Sequence, residues 1–229
     1  MSSFIKRSFF ILAFALIGTA AQSQVLISIL LGDKLNAPGL DFGLEGGYNW
    51  SKLTGMESST GLSTFNLGFY FDIRIKNQWS LYTGVLVKSK MGLAELTQND
   101  LDFLQTDVYT EEGVYSQQIS YFVLPALAKY KFKNHIYLEA GPRAGLMHKA
   151  YVQYDSDLEG KVGMVREFNK DMIKRLDVGF VGGLGYRLHK GEGMTIGLKY
   201  YYGFVNVYKE RSGTQNRALY LKFNIPIGG

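Results

Sequence analysis

The sequence predicts an all-β fold: a single antiparallel up-and-down transmembrane β-barrel of eight strands. Three observations predict it. Eight segments alternate apolar and polar side chains, no position on their apolar faces is charged, and tight polar turns alternate along the chain with long polar links. Because successive side chains of a strand point to opposite faces, the alternation gives each strand one face for lipid and one for the barrel interior.

The composition supports one domain rich in strands. Of 229 residues, 46% are hydrophobic, with 27 Gly, 16 Tyr and 15 Phe against only four Pro. The chain has no Cys, which excludes disulfides, thiolate metal sites and a cysteine nucleophile. A formal net charge of +5 is too small to indicate a nucleic-acid partner.

The N-terminal residues indicate export. Lys6 and Arg7 precede an uncharged stretch at 8–21 that ends in Ala21-Gln22-Ser23, as in a cleaved signal peptide over residues 1–23. The alternative is a single membrane anchor, for which the stretch is shorter than the roughly 20 residues that a spanning helix needs. Residues 24–37 form an N-terminal segment whose apolar run at 25–31 would plug the periplasmic end or lie in the interface. Residues 38–229 form the predicted barrel.

The first predicted strand illustrates the pattern. At 40–50 the even positions are apolar or aromatic apart from Gly46, whereas the odd positions include Asp41 and Glu45. Seven later segments show the same separation of faces. The apolar faces of the eight strands run over residues 40–50, 65–75, 79–87, 122–132, 136–146, 176–188, 194–204 and 219–227.

The connections between strands are of two kinds. Tight polar turns at 76–78, 133–135 and 189–193 alternate with long links at 51–61, 96–116, 153–175 and 209–217. Transmembrane barrels have this asymmetry, with short periplasmic turns and longer extracellular loops. Aromatic residues near strand ends, such as Trp50 and Phe132, fit interfacial girdles. Together with the signal peptide, the pattern predicts the outer membrane of a Gram-negative bacterium.

The inward faces carry charges of both signs. Ten are candidate members of a lumen charge network: Asp41, Glu45, Asp72, Lys88, Lys129, Glu139, Arg143, Asp177, Lys199 and Lys222. Arg74, Lys90, Lys131 and Arg187 lie nearer the strand ends. Side chains just fill an eight-stranded barrel, so we expect these charges to cross-link strands by salt bridges and hydrogen bonds. The alternative is a narrow solute channel that prefers anions, because basic residues are in excess.

Two of the long links are rich in charge. Residues 96–116 contain acidic side chains, and no Lys or Arg occurs between Met91 and Ala128. We expect a solvated external loop, with a divalent cation or a basic partner as the alternatives. The link at 153–175 mixes both signs and is expected to be solvated surface with a short helix around residues 167–176.

The sequence offers little for catalysis. His135, His148 and His189 are dispersed, and only His148 with a loop serine such as Ser156 would suggest the base and nucleophile of a lipid-modifying enzyme. We therefore predict no catalytic residues, no metal site and no cofactor.

A soluble barrel with a lipid-like ligand inside is the alternative architecture.

Several segments resemble the PorT-like outer-membrane β-barrel family of Bacteroidetes-type bacteria. They are the signal peptide before Gln24 and the segments GLEGGYN at 43–49, YFVLPALAKYKF at 121–132 and YLEAGP at 137–142. The resemblance implies an outer-membrane barrel, and one family member is linked to a protein secretion system. The chain ends in Gly228-Gly229 rather than in the terminal aromatic residue of many barrels. Either Phe223 takes that place, or proteins of this lineage assemble without such a residue.

The predicted function is non-enzymatic. The barrel would act through its external loops in binding, in envelope integrity or in support of a secretion or adhesion partner. Expected partners are outer-membrane lipid and other envelope or secretion proteins, and no nucleic acid.

Overall fold

A computed structural model describes residues 39–158, 161–191 and 193–227, so the predictions for residues 1–23 and 24–37 lie outside the described residues. Ten strands account for most of this part of the chain. They are β1 (Leu40–Leu53), β2 (Leu62–Lys76), β3 (Trp79–Lys88), β4 (Lys90–Leu93), β5 (Gly113–Lys131), β6 (Ile136–Leu158), β7 (Lys161–Phe168), β8 (Leu176–Arg187), β9 (Thr195–Asn206) and β10 (Gln215–Pro226). One helix, α1 (Gln98–Leu104), lies between β4 and β5, and short 3₁₀ turns occur at Lys170–Met172 and His189–Gly191.

The strands close into one antiparallel barrel. β1 pairs with β2 and with β10, and β5 pairs with both β3 and β6, so the ring has no open edge. Eight strand positions surround the interior. β3 and β4 occupy one position, since both pair with β5 and are separated only by Ser89, and β7 pairs only with the outer part of β6. The all-β barrel predicted from the sequence is confirmed.

The outward face of the wall is apolar and the inward face is packed. Leu124, Leu184 and Phe204 are 52–58% exposed on the outside, whereas Tyr82 and Leu127 are fully buried inside. This arrangement reverses that of a water-soluble protein, because the outward side chains are covered by lipid. Within the described ranges, no helix is long and apolar enough to cross a membrane.

Aromatic pairs lie at both ends of the wall. Trp79 contacts Tyr130 with ring centroids 5.0 Å apart near the short turns, and Tyr48 contacts Phe65 at 5.7 Å near the long links. The Trp and Tyr rings combine an apolar body with a polar tip, which suits the membrane–water boundary.

The three short turns share a backbone feature. Asn77, His135 and His189 have φ values of +52°, +67° and +50° in the left-handed region, which Asn and His enter more readily than most residues. Each turn thereby reverses the chain within a few residues and sets the antiparallel register of the strands that it joins.

The long-link end is more ordered than the sequence predicts. β5 begins at Gly113, β6 continues to Leu158, and β7 lies within the predicted link at 153–175. The short helix expected around residues 167–176 is a single 3₁₀ turn at Lys170–Met172, between the end of β7 and the start of β8. Outside the lipid layer a strand needs no apolar face, so its sequence lacks the alternation that reveals the wall strands.

Candidate functional site

The lumen near the short turns contains a dense cluster of buried charges. Lys222 Nζ lies 2.6 and 2.7 Å from the two carboxylate oxygens of Glu139, and Lys129 Nζ lies 2.9 Å from Asp72. Lys199 pairs with Glu45. All six side chains are at most 7% exposed. The partners come from different strands, so each pair links separate parts of the wall.

Tyrosines surround these ion pairs. Tyr82 donates its hydroxyl to Glu45 and accepts a hydrogen bond from Asn224 Nδ2 at 2.7 Å. The Lys222 ammonium lies 4.0 Å from the centroid of the Tyr82 ring, and the Lys129 ammonium lies 4.1 Å from that of Tyr137. Cation–π contact adds to the Coulomb attraction and compensates for the water that the ammonium groups lose. These tyrosines were not predicted as site residues, although each lies on an inward face.

A second cluster is centred on Arg143, higher in the lumen. Its guanidinium donates to Tyr220 Oη at 2.5 Å and lies 4.1 Å from the centroid of the Tyr201 ring. Tyr201 in turn donates to Asp177 Oδ2 at 2.8 Å. Arg143 and Asp177 thus belong to one connected set of buried groups, although no direct ion pair joins them among the described contacts.

Two of the ten candidate network residues lie apart from these clusters. Asp41 pairs with Arg187 at 2.7 Å near the periplasmic end, where both side chains are partly exposed. Lys88 is exposed on the outside of the barrel, with its ammonium 5.6 Å from the Phe65 ring centroid, so its expected position in the lumen was wrong. The physical cause is a register shift between β2 and β3 beside Leu67, which interrupts the alternation of faces.

The residues near the strand ends have separate environments. Lys131 contacts Asp72 at 3.1 Å, and Lys90 donates to the Tyr151 hydroxyl at 3.0 Å on the extracellular side. Arg74 is exposed and lines a recess of about 200 Å³ at the periplasmic end, together with His135 and Arg187.

The middle of the barrel is filled by side chains. A cavity beside Leu127, Arg143 and Tyr220 measures only about 10 Å³, roughly the space of one water molecule. Eight strands enclose just enough room for their own inward side chains, which agrees with this packing.

An extracellular extension continues the wall beyond the lipid. We define it as residues 113–120 of β5, 149–158 of β6 and the whole of β7. β6 has 23 residues, whereas a tilted strand needs about 9–11 to cross the membrane. At a rise of about 2.5 Å per residue along the barrel axis, the surplus reaches roughly 30 Å beyond the apolar band. β7 is the terminal strand of the sheet, so one of its edges has no partner strand among the described residues.

Helix α1 is fixed to the neighbouring loop by one carboxylate. Asp100 is fully buried and accepts hydrogen bonds from the backbone N–H groups of Glu57 at 2.9 Å and Ser58 at 2.8 Å. Its side chain and that of Thr97 also form a reciprocal capping box at the start of the helix. Asp100 belongs to the link that the sequence predicted to be a solvated loop, but it is buried and holds α1 in place.

Aromatic packing joins the segment between α1 and β5 to the extracellular extension. Tyr109 stacks on Tyr154 with centroids 4.8 Å apart, and Tyr115 contacts the same ring at 4.7 Å. Loss of hydration raises the pKa of the Tyr109 phenol, and the nearby Glu167 carboxylate raises that pKa further. Tyr109 is thus a neutral hydrogen-bond donor at physiological pH.

The hydrolase alternative is not supported by the geometry. His148 and Ser156 lie eight residues apart on the same strand, which separates them by about 26 Å. His148 stacks on Phe122 at 4.4 Å on the outer wall, whereas Ser156 is buried in the extension. Within the described part of the chain, no group of three or more His, Cys, Asp or Glu side chains is placed to hold a metal ion.

The apolar wall, the packed polar lumen and the asymmetry between short turns and long loops define a transmembrane β-barrel of the outer-membrane type. The chain belongs to the family described as outer membrane protein beta-barrel domain, whose family model matches residues 21–209. The protein is therefore located in the outer membrane of a Gram-negative bacterium. A search of curated proteins gives no match.

Solved structures of outer-membrane proteins are similar to the chain at low identity. Ail, the attachment invasion locus protein of Yersinia pestis, is 11% identical, with 82% of this chain and 99% of that chain covered and a TM-score of 0.46. Neisserial surface protein A is 12% identical, with 83% and 98% covered and a TM-score of 0.40. OprG from Pseudomonas aeruginosa is 13% identical, with 82% and 91% covered and a TM-score of 0.29.

Proposed function

We propose that the protein is a non-enzymatic binding platform, in which a closed barrel holds the extracellular extension in place for a protein partner. The observation that carries the proposal is the contrast between the two halves of the molecule. The lumen is filled by side chains, whereas the extension is an ordered sheet with a free edge and exposed apolar residues.

The filled lumen supports binding over conduction. Side chains occupy the centre of the barrel, and buried acids neutralise Lys129, Lys199 and Lys222. A narrow channel with a basic lumen would need a continuous path and unpaired cations along it. We infer that the lumen charge network is structural and holds the wall strands in register.

The edge of β7 supports a protein partner. Met164 is 52% exposed, Val165 is 39% exposed and Phe168 is 65% exposed, all on the last strand of the sheet. An unpaired edge presents backbone donors and acceptors that can pair with an extended segment of another chain. Exposed apolar side chains on both faces of the strand would supply the contact area for such a segment.

Order in the neighbouring loops supports a preorganised site. Asp100 and the stacked tyrosines hold α1 and the base of the extension together. A surface that is ordered before binding loses less conformational entropy when it binds. We further propose that the chain is PorT-like and that its partner belongs to a secretion or adhesion apparatus, on the sequence segments that resemble that family.

The decisive experiment combines crosslinking with conductance. A photoreactive amino acid at Val165, in intact cells that produce the full chain, should give a discrete protein adduct. The same amino acid at Leu198, which is 46% exposed on the lipid-facing wall, is the matched control and should give none. Adding Phe168→Lys to the Val165 probe should abolish the adduct, because it places a charge in the apolar contact.

Planar-bilayer recordings test the alternative directly. We expect no discrete conductance steps from the purified protein. Anion-selective steps that change in the Lys199→Gln variant would contradict the binding platform and support the channel. Equal adducts from Val165 and Leu198 would show that the β7 edge is not a specific contact.

A further inference from the structure

A groove on the outside of the barrel lies where the wall meets the extracellular side. It has a volume of about 510 Å³ and is lined by apolar, aromatic and basic side chains, among them Phe122, Leu146, His148, Lys170, Arg175 and Lys209. We call it the rim groove. It is separate from the lumen and from the free edge of β7.

The rim groove lies at the boundary of the lipid layer. Phe132 is at the periplasmic end of the wall, and ten residues separate it from Phe122 on the same outward face. At about 2.5 Å per residue along the axis, Phe122 stands roughly 25 Å from that end, which is the height of the apolar band of outer-membrane barrels. Phe122 and Leu146 therefore face the ends of lipid acyl chains nearest the headgroups, and the basic residues lie at headgroup level.

The backbone fixes the segments that carry the three cations. Met147 donates its N–H to the Arg175 carbonyl at 2.7 Å, and Lys209 donates its N–H to the Met172 carbonyl at 2.9 Å. Beneath them Ile173 is fully buried and forms an isolated bridge with Tyr208. Lys170, Arg175 and Lys209 thus project from a rigid base rather than from an unsupported loop.

Positive charge exceeds negative charge in the rim groove. Lys170, Arg175 and Lys209 are exposed and take part in none of the ion pairs found within the described ranges. Asp171 is the single acid among the lining residues, which leaves a formal excess of two positive charges. A ligand complementary to the rim groove therefore has an anionic group at the level of the cations and apolar chains at the level of Phe122 and Leu146.

We propose that the rim groove binds the phosphorylated headgroup of an outer-leaflet glycolipid. The ammonium and guanidinium groups would bind the phosphate, and the acyl chains would lie along the wall below Phe122 and Leu146. A free phosphate has the same anionic chemistry but makes no use of the apolar part of the groove. The lipid would fix the barrel at one depth and brace the base of the extension.

The test uses the full chain in detergent micelles and native mass spectrometry with bisphosphorylated lipid A. A parallel measurement uses the same lipid after enzymatic removal of its phosphates, and a third uses inorganic phosphate. The variant is Lys170→Ala/Arg175→Ala/Lys209→Ala. Lys52→Ala is the matched control, because Lys52 is an exposed cation at the extracellular end of β1. β1 lies four strand positions round the barrel from β6, so Lys52 is far from the rim groove.

We expect the triple variant to bind bisphosphorylated lipid A on the order of 100-fold more weakly, at about fivefold for each cation near a charged lipid surface. Lys52→Ala and Lys170→Arg/Lys209→Arg should retain wild-type affinity. Each variant is first checked for the gel shift between unboiled and boiled samples, which shows that the barrel is folded. Equal affinity of the wild type for both lipids, or an unchanged affinity of the folded triple variant, would overturn the proposal. Inorganic phosphate binding as tightly as the lipid would also overturn it.

Discussion

Replacing Lys222 with methionine should be among the most damaging single changes in the lumen. Lys222 is 1% exposed, and its ammonium contacts both Glu139 oxygens at 2.6 and 2.7 Å. The substitution keeps most of the side-chain volume and leaves Glu139, itself 2% exposed, as a buried carboxylate without its cation. Removing one partner of a buried pair costs about 3–5 kcal/mol, which is roughly a 10²- to 10⁴-fold change in the folding constant.

A double-mutant cycle separates the pair from the packing around it. Replacing both residues, as in Lys222→Met/Glu139→Leu, removes the unpaired charge, so we expect the double variant to be more stable than Lys222→Met alone. Arg187→Met is the control, because its pair with Asp41 is partly exposed and should contribute under about 1 kcal/mol.

Urea unfolding in lipid vesicles measures these differences. Trp50 and Trp79 are 45% and 50% exposed on the outward wall, so their fluorescence reports the loss of the lipid environment. If Lys222→Met lowers the free energy of unfolding by less than about 1 kcal/mol, the reasoning is refuted, since breaking a buried ion pair should cost more than that. If the loss of stability in the double variant equals the sum of the losses in Lys222→Met and Glu139→Leu, the two residues are not coupled.

Three further predictions concern the wall and the loops. In Gly43→Ala the new Cβ would lie 2.1 Å from the Ile225 carbonyl oxygen, so we expect a loss of about 1–3 kcal/mol in the same unfolding assay, whereas Gly182→Ala, with no atom within 4 Å of its Cβ, should be neutral. Equal stabilities of these two variants would contradict the packing of β1 against β10. Leu198→Arg places a charge near the middle of the lipid-facing wall and should cost about 2–4 kcal/mol in vesicles, and no loss would mean that this face does not contact lipid. Asp100→Ala removes the acceptor that holds α1, so hydrogen exchange at 57–58 and 97–104 should accelerate while the wall strands keep their protection. Faster exchange throughout the barrel would show that the loop and wall are one cooperative unit.

The sequence predicted the wall strands because lipid applies one criterion to every outward position. Tyr48, Leu124 and Leu184 come from three strands, yet each needs only to be apolar, and a period of two makes that requirement visible in a single segment. Short turns were visible for a similar local reason, since a reversal within a few residues depends on the turn residues themselves.

The pairing inside the lumen could not be predicted in this way. Glu45 and Lys199 are 154 positions apart, and Glu139 and Lys222 are 83 positions apart. Which inward side chains meet depends on the register of all eight strand positions and on how the ring closes, which no single segment contains. Lys88 shows the consequence, because one register shift beside Leu67 places it outside the barrel.

The sequence by itself determined the class of architecture, the lipid-facing side of the wall strands and which end carries the long loops. Only the tertiary structure decided the partners of the buried charges, the extracellular extension and the rim groove. The physical reason is that contact with lipid and tight reversal of the chain act on each segment alone. Charge pairing, strand extension in water and the meeting of Lys170, Arg175 and Lys209 depend on segments brought together by the closed barrel.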